Sequence, residues 1–237
     1  MSDWSPFWGL PLWVWLFVMP SVLALSARIF RHQAQFLLRP IWWLLDKVYI
    51  ASGLLAAGFM VTILVIILAQ MAARWAGLTF EGSTEFAGYA MAATSFFALA
   101  HALTRGAHIR VSIFLNMNNF TRLWLDAAAM LIAAMTATYF ARYAVKTNYM
   151  SEMLNDRTQG QDQVPEAFLS FLNLISSSPD KWALIWSNMG DGYVYTPVWL
   201  PQIPMSIGTV LLAIALWDNL IRLLVLSKTA ITSEVLR

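Results

Sequence analysis

Apolar residues run in long blocks along this chain, and short polar segments separate them. Five stretches approach the ~20 apolar residues that a helix needs to cross a hydrocarbon core ~30 Å thick. They are Phe7 to Ala27, Val48 to Ala73, Phe86 to Leu103, Leu123 to Ala141 and Val198 to Leu216. The second carries no charged residue, and the first is interrupted by Pro20. Helix is the expected form, because inside lipid a helix satisfies its own backbone hydrogen bonds. The first stretch opens Ser2-Asp3-Trp4 and has Arg28 and Arg31 behind it, the reverse of a cleavable leader's basic start. It reads as a retained helix, either spanning or lying in the interface.

The polar segments have patterns of their own. Between the first two stretches, Arg28, Arg31, His32, Gln35 and Arg39 recur at helical spacing, and Phe30, Ala34, Leu37, Leu38 and Ile41 repeat the rhythm on the other face. This predicts an amphipathic helix lying flat on the membrane, ending in a bend at Pro40 and Trp42-Trp43. Its lipid-headgroup contacts would be Arg28, Arg31, Arg39, Trp42 and Trp43. A plain extension of the next helix is the alternative. In the long segment Lys146 to Pro197, Val164, Phe168, Phe171, Leu172 and Ile175 form one apolar stripe. A second short helix can start with Ser178 as N-cap and Pro179 in its first turn, carrying Trp182 and Trp186. These two helices would rest on the outer leaflet or on a partner. Asp191-Gly192 marks a turn.

Composition agrees. Of 237 residues, 59% are hydrophobic and 12% charged, with a mean hydropathy of +0.60. A soluble domain carries roughly 25% charged residues, so much of this surface must face lipid. The 12 tryptophans suit interfacial anchoring. The lack of cysteine excludes disulfides, thiolate metal sites and a cysteine nucleophile. The expected fold is an all-α integral membrane protein. It has a four-helix transmembrane core, an N-terminal hydrophobic helix and amphipathic interfacial helices. The expected divisions are 1–47 for the N-terminal elements, 48–226 for the bundle with its long outer loop at 146–197, and 227–237 for a tail.

Charge sets the orientation. Arg28, Arg31, Arg39 and Lys47, then Arg105, Arg110 and Arg122, then Arg222, Lys228 and Arg237 fall in alternate segments, which the positive-inside rule places in the cytoplasm. The segments 74–85 and 146–197 lie on the other side, and the longer one is acidic.

Catalytic motifs are missing: there is no phosphate loop, nucleophile elbow or metalloprotease helix, and neither Ser112 nor Ser206 has a histidine or acid beside it. No cofactor is expected in this chain. A haem site would need histidines at membrane depth on facing helices, and His32, His101 and His108 are poorly placed for it. Charges near the spans are default functional candidates. Asp126 follows Arg122, and Asp218 precedes Arg222, by four residues each, so both read as interfacial ion pairs. Arg142 lies close enough to the outer edge to snorkel. Ala129, Ala133, Ala137 and Ala141 form a smooth stripe for helix packing, with Gly88 and Ala92 as a shorter version. The partner helix could belong to this chain or to another.

The most distinctive segment is Arg105-Gly106-Ala107-His108-Ile109-Arg110-Val111, a glycine turn with cationic flanks between the third and fourth stretches. It resembles the R-G-x-H-I-x-V signature of the small membrane subunit of tripartite ATP-independent periplasmic (TRAP) transporters, the DctQ-like family. Helix order agrees over about Asp46 to Leu226, with the last helix entered through Thr196-Pro197 and Ile203-Pro204, and Gly208 soon after. The family usually has Asp after the valine, where this chain has Ser112. The resemblance implies a scaffold subunit in the bacterial inner membrane that forms a stable heterodimer with a large permease. That permease would hold the sodium and substrate sites, and a periplasmic binding protein would deliver the substrate transiently. Organic anions or zwitterions are the family's substrates. Membrane lipids are the other expected partners, and nucleic acid is not one. A membrane-anchor subunit of a haem- or quinone-linked redox complex is the alternative from another class.

Overall fold

The computed structural model describes residues 4–105 and 119–226. Its order is β1 (Pro6–Phe7), β2 (Leu10–Pro11), a π-helical turn (Val14–Val18), α1 (Met19–Ile29), α2 (Arg31–Trp75), α3 (Ser83–Thr104) and α4 (Asn119–Met153). Then come β3 (Gln163–Pro165), α5 (Glu166–Ser176), a 3-10 turn (Pro179–Lys181), α6 (Trp182–Ser187), β4 (Tyr193–Tyr195) and α7 (Trp199–Leu226). Among the described residues, four helices are long and apolar enough to cross a membrane: α2, α3, Leu123–Met153 of α4, and α7.

The bundle is built around α7, which packs on α4, α3, α1 and α2. Its buried side includes Ala213, Leu216, Leu220 and Leu223. Against it α4 sets Ala127, Ala134, Ala137 and Ala141, and α3 sets Ala100 and Leu103. Small residues dominate because lipid supplies no hydrophobic drive between helices, so close van der Waals approach must. The Trp217 indole donates to the Thr138 hydroxyl (2.9 Å), joining α7 to α4. The α3 and α7 backbones approach closely at Gly208, where an added Cβ would stand 2.5 Å from the Phe96 carbonyl oxygen of α3.

The N-terminal stretch begins differently from the expected helix at Phe7. Pro6 and Phe7 pair with Pro11 and Leu10 in a small hairpin turned by Trp8 and Gly9, both at positive φ. Two positive φ angles in a two-residue turn match strand twist, and two prolines with a glycine resist helix. Helical backbone runs through the π-helical turn Val14–Val18 directly into α1, and Pro20 lies just past that junction, where the wider turn accommodates its missing N–H. Val14–Ile29 is about 24 Å long. It lies beside α7, with Ala24 in the main core.

The separate flat helix over 28–47 is not what forms. The chain breaks at Phe30 (φ −101°, ψ 45°), and α2 then runs 45 residues without interruption through Pro40. A proline inside a helix removes one hydrogen bond and costs about 3 kcal/mol. The turns after Pro40 are tied to α7 through Asp46 and Tyr49. At ~1.5 Å per residue, α2 is about 68 Å long, roughly twice the hydrocarbon thickness.

The outer loop contains the two expected short helices, α5 and the 3-10 turn with α6, with Ser178 at the N-cap position. Between them and the bundle stands an unforeseen antiparallel ladder: Gln163 opposite Tyr195, Val164 opposite Val194 and Pro165 opposite Tyr193.

A buried ion cluster at the basic end of the bundle

Trp42, Asp46 and Tyr49 stand on one face of α2 at helical spacing, and Asp218 and Arg222 stand one turn apart on α7. The Arg222 guanidinium joins them. Its Nε donates to Asp218 Oδ1 (3.1 Å), and its Nη2 lies 2.9 Å from Asp218 Oδ2 and 2.8 Å from Asp46 Oδ1. The guanidinium also sits 5.4 Å from the Trp42 ring centroid. The Tyr49 hydroxyl donates to Asp218 Oδ2 (3.2 Å). Asp218 and Tyr49 are 6% and 2% exposed, whereas the Asp46 side chain is 53% exposed. One carboxylate is therefore enclosed and the other is half-exposed.

Two further contacts extend the cluster. His101 of α3 places Nδ1 3.1 Å from the Tyr49 carbonyl, a bond that requires the proton on Nδ1. Gly53 makes room for that ring, since a Cβ there would meet it at 2.7 Å. Arg28 of α1 donates to the Leu224 carbonyl (3.0 Å), joining α1 to α7. Side-chain bonds thus tie four elements, α1, α2, α3 and α7, at one end of the bundle.

An uncharged hydrogen-bond knot and one carboxylate hold the opposite end. Asp162, 0% exposed, accepts from the Tyr89 hydroxyl (2.7 Å) and the Thr158 hydroxyl (2.9 Å). Its carbonyl accepts from the Thr196 amide and hydroxyl, each at 3.2 Å. Burial pushes this carboxyl up, but hydrogen bonds from Tyr89, Thr196 and Thr158 outweigh it and hold the group below the ordinary carboxylate range.

The residues singled out from sequence fall as follows. Arg105 closes α3, its amide bonded to the His101 carbonyl. Gly106, His108, Ile109, Arg110 and Val111 lie outside the described residues, as does Ser112. Arg31 and Arg39 are exposed on the first turns of α2. Trp43 is exposed, with the Lys47 ammonium 3.6 Å above its ring. Arg28 and Trp42 are engaged inside the chain. Ala137 and Ala141 are buried, Ala133 is half-buried and Ala129 is exposed. Repeating every fourth residue turns the row about 40° per step on a 3.6-residue helix, so it drifts off the face that α7 covers. The covered row is Ala127, Ala134, Ala137, Ala141 and Ala144. His32 is exposed, and His101 is taken up by α2. Sequence reading missed Asp46, Tyr49 and Asp162 as organising residues. The spacing of Asp46 and Tyr49 with Trp42 was the available signal.

Taken together, these features define a polytopic helical membrane protein in which a buried ion cluster ties the chain's own helices together. The family model described as "Tripartite ATP-independent periplasmic transporters, DctQ component" matches residues 63–185, just over half of the chain. The chain belongs to this DctQ family, a family of transporter components, and is a small TRAP transporter component. No curated protein and no solved structure matches it. The matched segment runs from the middle of α2 through α6, so the ion cluster and α7 lie outside it.

Proposed function

We propose that this chain is the scaffold subunit of a TRAP-type secondary transporter in a bacterial inner membrane. It braces a large permease in a stable heterodimer. That permease carries the sodium and solute sites, and a periplasmic binding protein delivers a small organic anion or zwitterion to it. The observation that carries the bracing role is the buried cluster around Arg222, which ties α2 to α7 and leaves its charges satisfied within the chain. Intramembrane charge in a moving or conducting element more often faces a cavity or pathway. Family membership supports the transporter setting.

Copurification from native membranes in mild detergent, with bound proteins identified by mass spectrometry, tests the reading. A large hydrophobic permease at equal stoichiometry is the expected result. Recovery of the chain alone, or with a haem or flavin protein and its absorbance, would overturn it.

A further inference from the structure

The outer loop is laid across the end of the bundle rather than projecting from it. It leaves α4 and at once pairs with the segment entering α7: the Val198 amide donates to the Asp156 carbonyl (3.0 Å), and the Thr158 amide to the Thr196 carbonyl (2.9 Å). A few residues on, Asp162 is bonded to Tyr89, in the second turn of α3. Gly82, before the first turn of α3, touches the same place, its added Cβ falling 2.9 Å from Asp162 Cα. The ladder therefore runs sideways, from above α4 and α7 to beside the start of α3. That start marks the membrane edge, because 22 residues make α3 about 33 Å long, close to the hydrocarbon thickness.

Strands β3 and β4 continue past this point and carry α5 and α6 at their tip. The two helices pack on each other, on β3 and on the 3-10 turn between them. Their apolar side is left uncovered: Phe168, Phe171, Ile175, Trp182, Leu184 and Trp186 are all exposed, Trp186 by 67%. The stripe on α5 carries no charge, and the Trp182 indole N–H already donates to the Ser177 carbonyl (3.2 Å), so that ring brings no unsatisfied donor into an apolar medium. Met153 and Leu154, where α4 ends, are exposed as well.

We propose that α5 and α6 form an interfacial anchor: they overhang the bundle at the level of the outer membrane edge, with Phe171, Ile175 and Trp186 inserted toward the acyl chains of the outer leaflet. Helices of this composition lie in the interface plane with one face ~5–10 Å into the headgroup boundary, and tryptophan favours that layer. The chain is then held in the bilayer from both faces, by its cationic segments on one side and by an uncharged aromatic face on the other.

Because the chain has no cysteine, one introduced cysteine takes a nitroxide at a single site. The full chain carrying Phe171→Cys, Trp186→Cys or Asp180→Cys is labelled and reconstituted in phosphatidylethanolamine–phosphatidylglycerol vesicles, alone and with its copurifying membrane partner. Collision with oxygen, which concentrates in lipid, is compared with collision with a water-soluble nickel chelate. The expected result, in both samples, is an oxygen-to-nickel ratio several-fold higher at 171 and 186 than at 180. Preferential nickel collision at 171 and 186 would place the helices in water and overturn the proposal. Loss of both collisions there would show that protein covers the face, and would overturn it equally.

Discussion

The Arg222 guanidinium stands 2.8 Å from Asp46 on α2 and 2.9 Å from Asp218 on its own helix. One cation therefore serves a half-exposed acid and a buried one. The two bonds do not have equal worth. A surface ion pair contributes about 0–1 kcal/mol, whereas stranding a buried charge costs about 3–5 kcal/mol.

Arg222→Met should accordingly be the most damaging single change in the cluster, lowering stability by about 3–5 kcal/mol because Asp218 is left enclosed without a counter-ion. Asp46→Asn should cost about 1 kcal/mol or less. Arg222→Met combined with Asp218→Leu should recover much of the loss. Thermal melting in detergent, followed by tryptophan fluorescence, would rank the variants. Equal melting of Arg222→Met and Asp46→Asn would show that the burial of Asp218 gives Arg222 no added weight.

Two glycines should respond in opposite directions to the same substitution. Gly208→Ala places a methyl against the Phe96 backbone, which cannot rotate away, so α3 and α7 must separate. Overpacking of this kind costs about 1–3 kcal/mol. At Gly88 a Cβ meets nothing within 4 Å inside the chain, and alanine there should be neutral or stabilising by up to about 1 kcal/mol through helix propensity. Chemical denaturation in mixed micelles distinguishes them. Loss of partner copurification by Gly88→Ala, with the chain itself unharmed, would assign that open face to the permease.

The outer knot should be sensitive to acid. The folded Asp162 carboxyl is held below its unfolded value. Its stabilising contribution is therefore complete above the ordinary carboxylate pKa, about 4, and is lost as pH falls through the folded value. Limited proteolysis of the loop in vesicles should accelerate in that acidic window. Asp162→Asn should be cleaved faster at neutral pH and should show less pH dependence. A wild-type cleavage rate that stays flat on acidification would remove Asp162 from this role.

Charge reversal at the start of the cationic turn should act on assembly or orientation rather than on the packed core. Arg105→Glu leaves the described interior untouched, because Arg105 is exposed at the end of α3. It should reduce permease copurification or invert the flanking spans, with Arg110→Glu as its companion. Unchanged copurification and unchanged solute uptake in both variants would show that the turn is an ordinary cytoplasmic loop.

Much of this protein follows from its sequence alone. Block hydrophobicity specifies four spanning helices, because lipid leaves a chain with no other way to satisfy its backbone. Alternating cationic segments specify which ends lie together. Ser178-Pro179 and the Val164–Ile175 stripe specify two short loop helices, because proline's fixed φ in a first turn and one-sided apolarity are local properties. The Arg105–Val111 motif points to the family without any structure. Decisions that depend on two distant segments meeting were not legible. Pro40 reads as a bend, but α2 passes through it, and the turns beyond it are fixed to a helix some 170 residues later. The i+4 row of alanines reads as one face, but the helix pitch rotates it away from α7, and only packing selects the row that counts. Asp162 looks like any acid in an acidic loop, and its burial depends on Tyr89 and Thr196 arriving from elsewhere. Local chemistry determines elements, whereas enclosure of a charge is a property of neighbours that only the tertiary fold assembles.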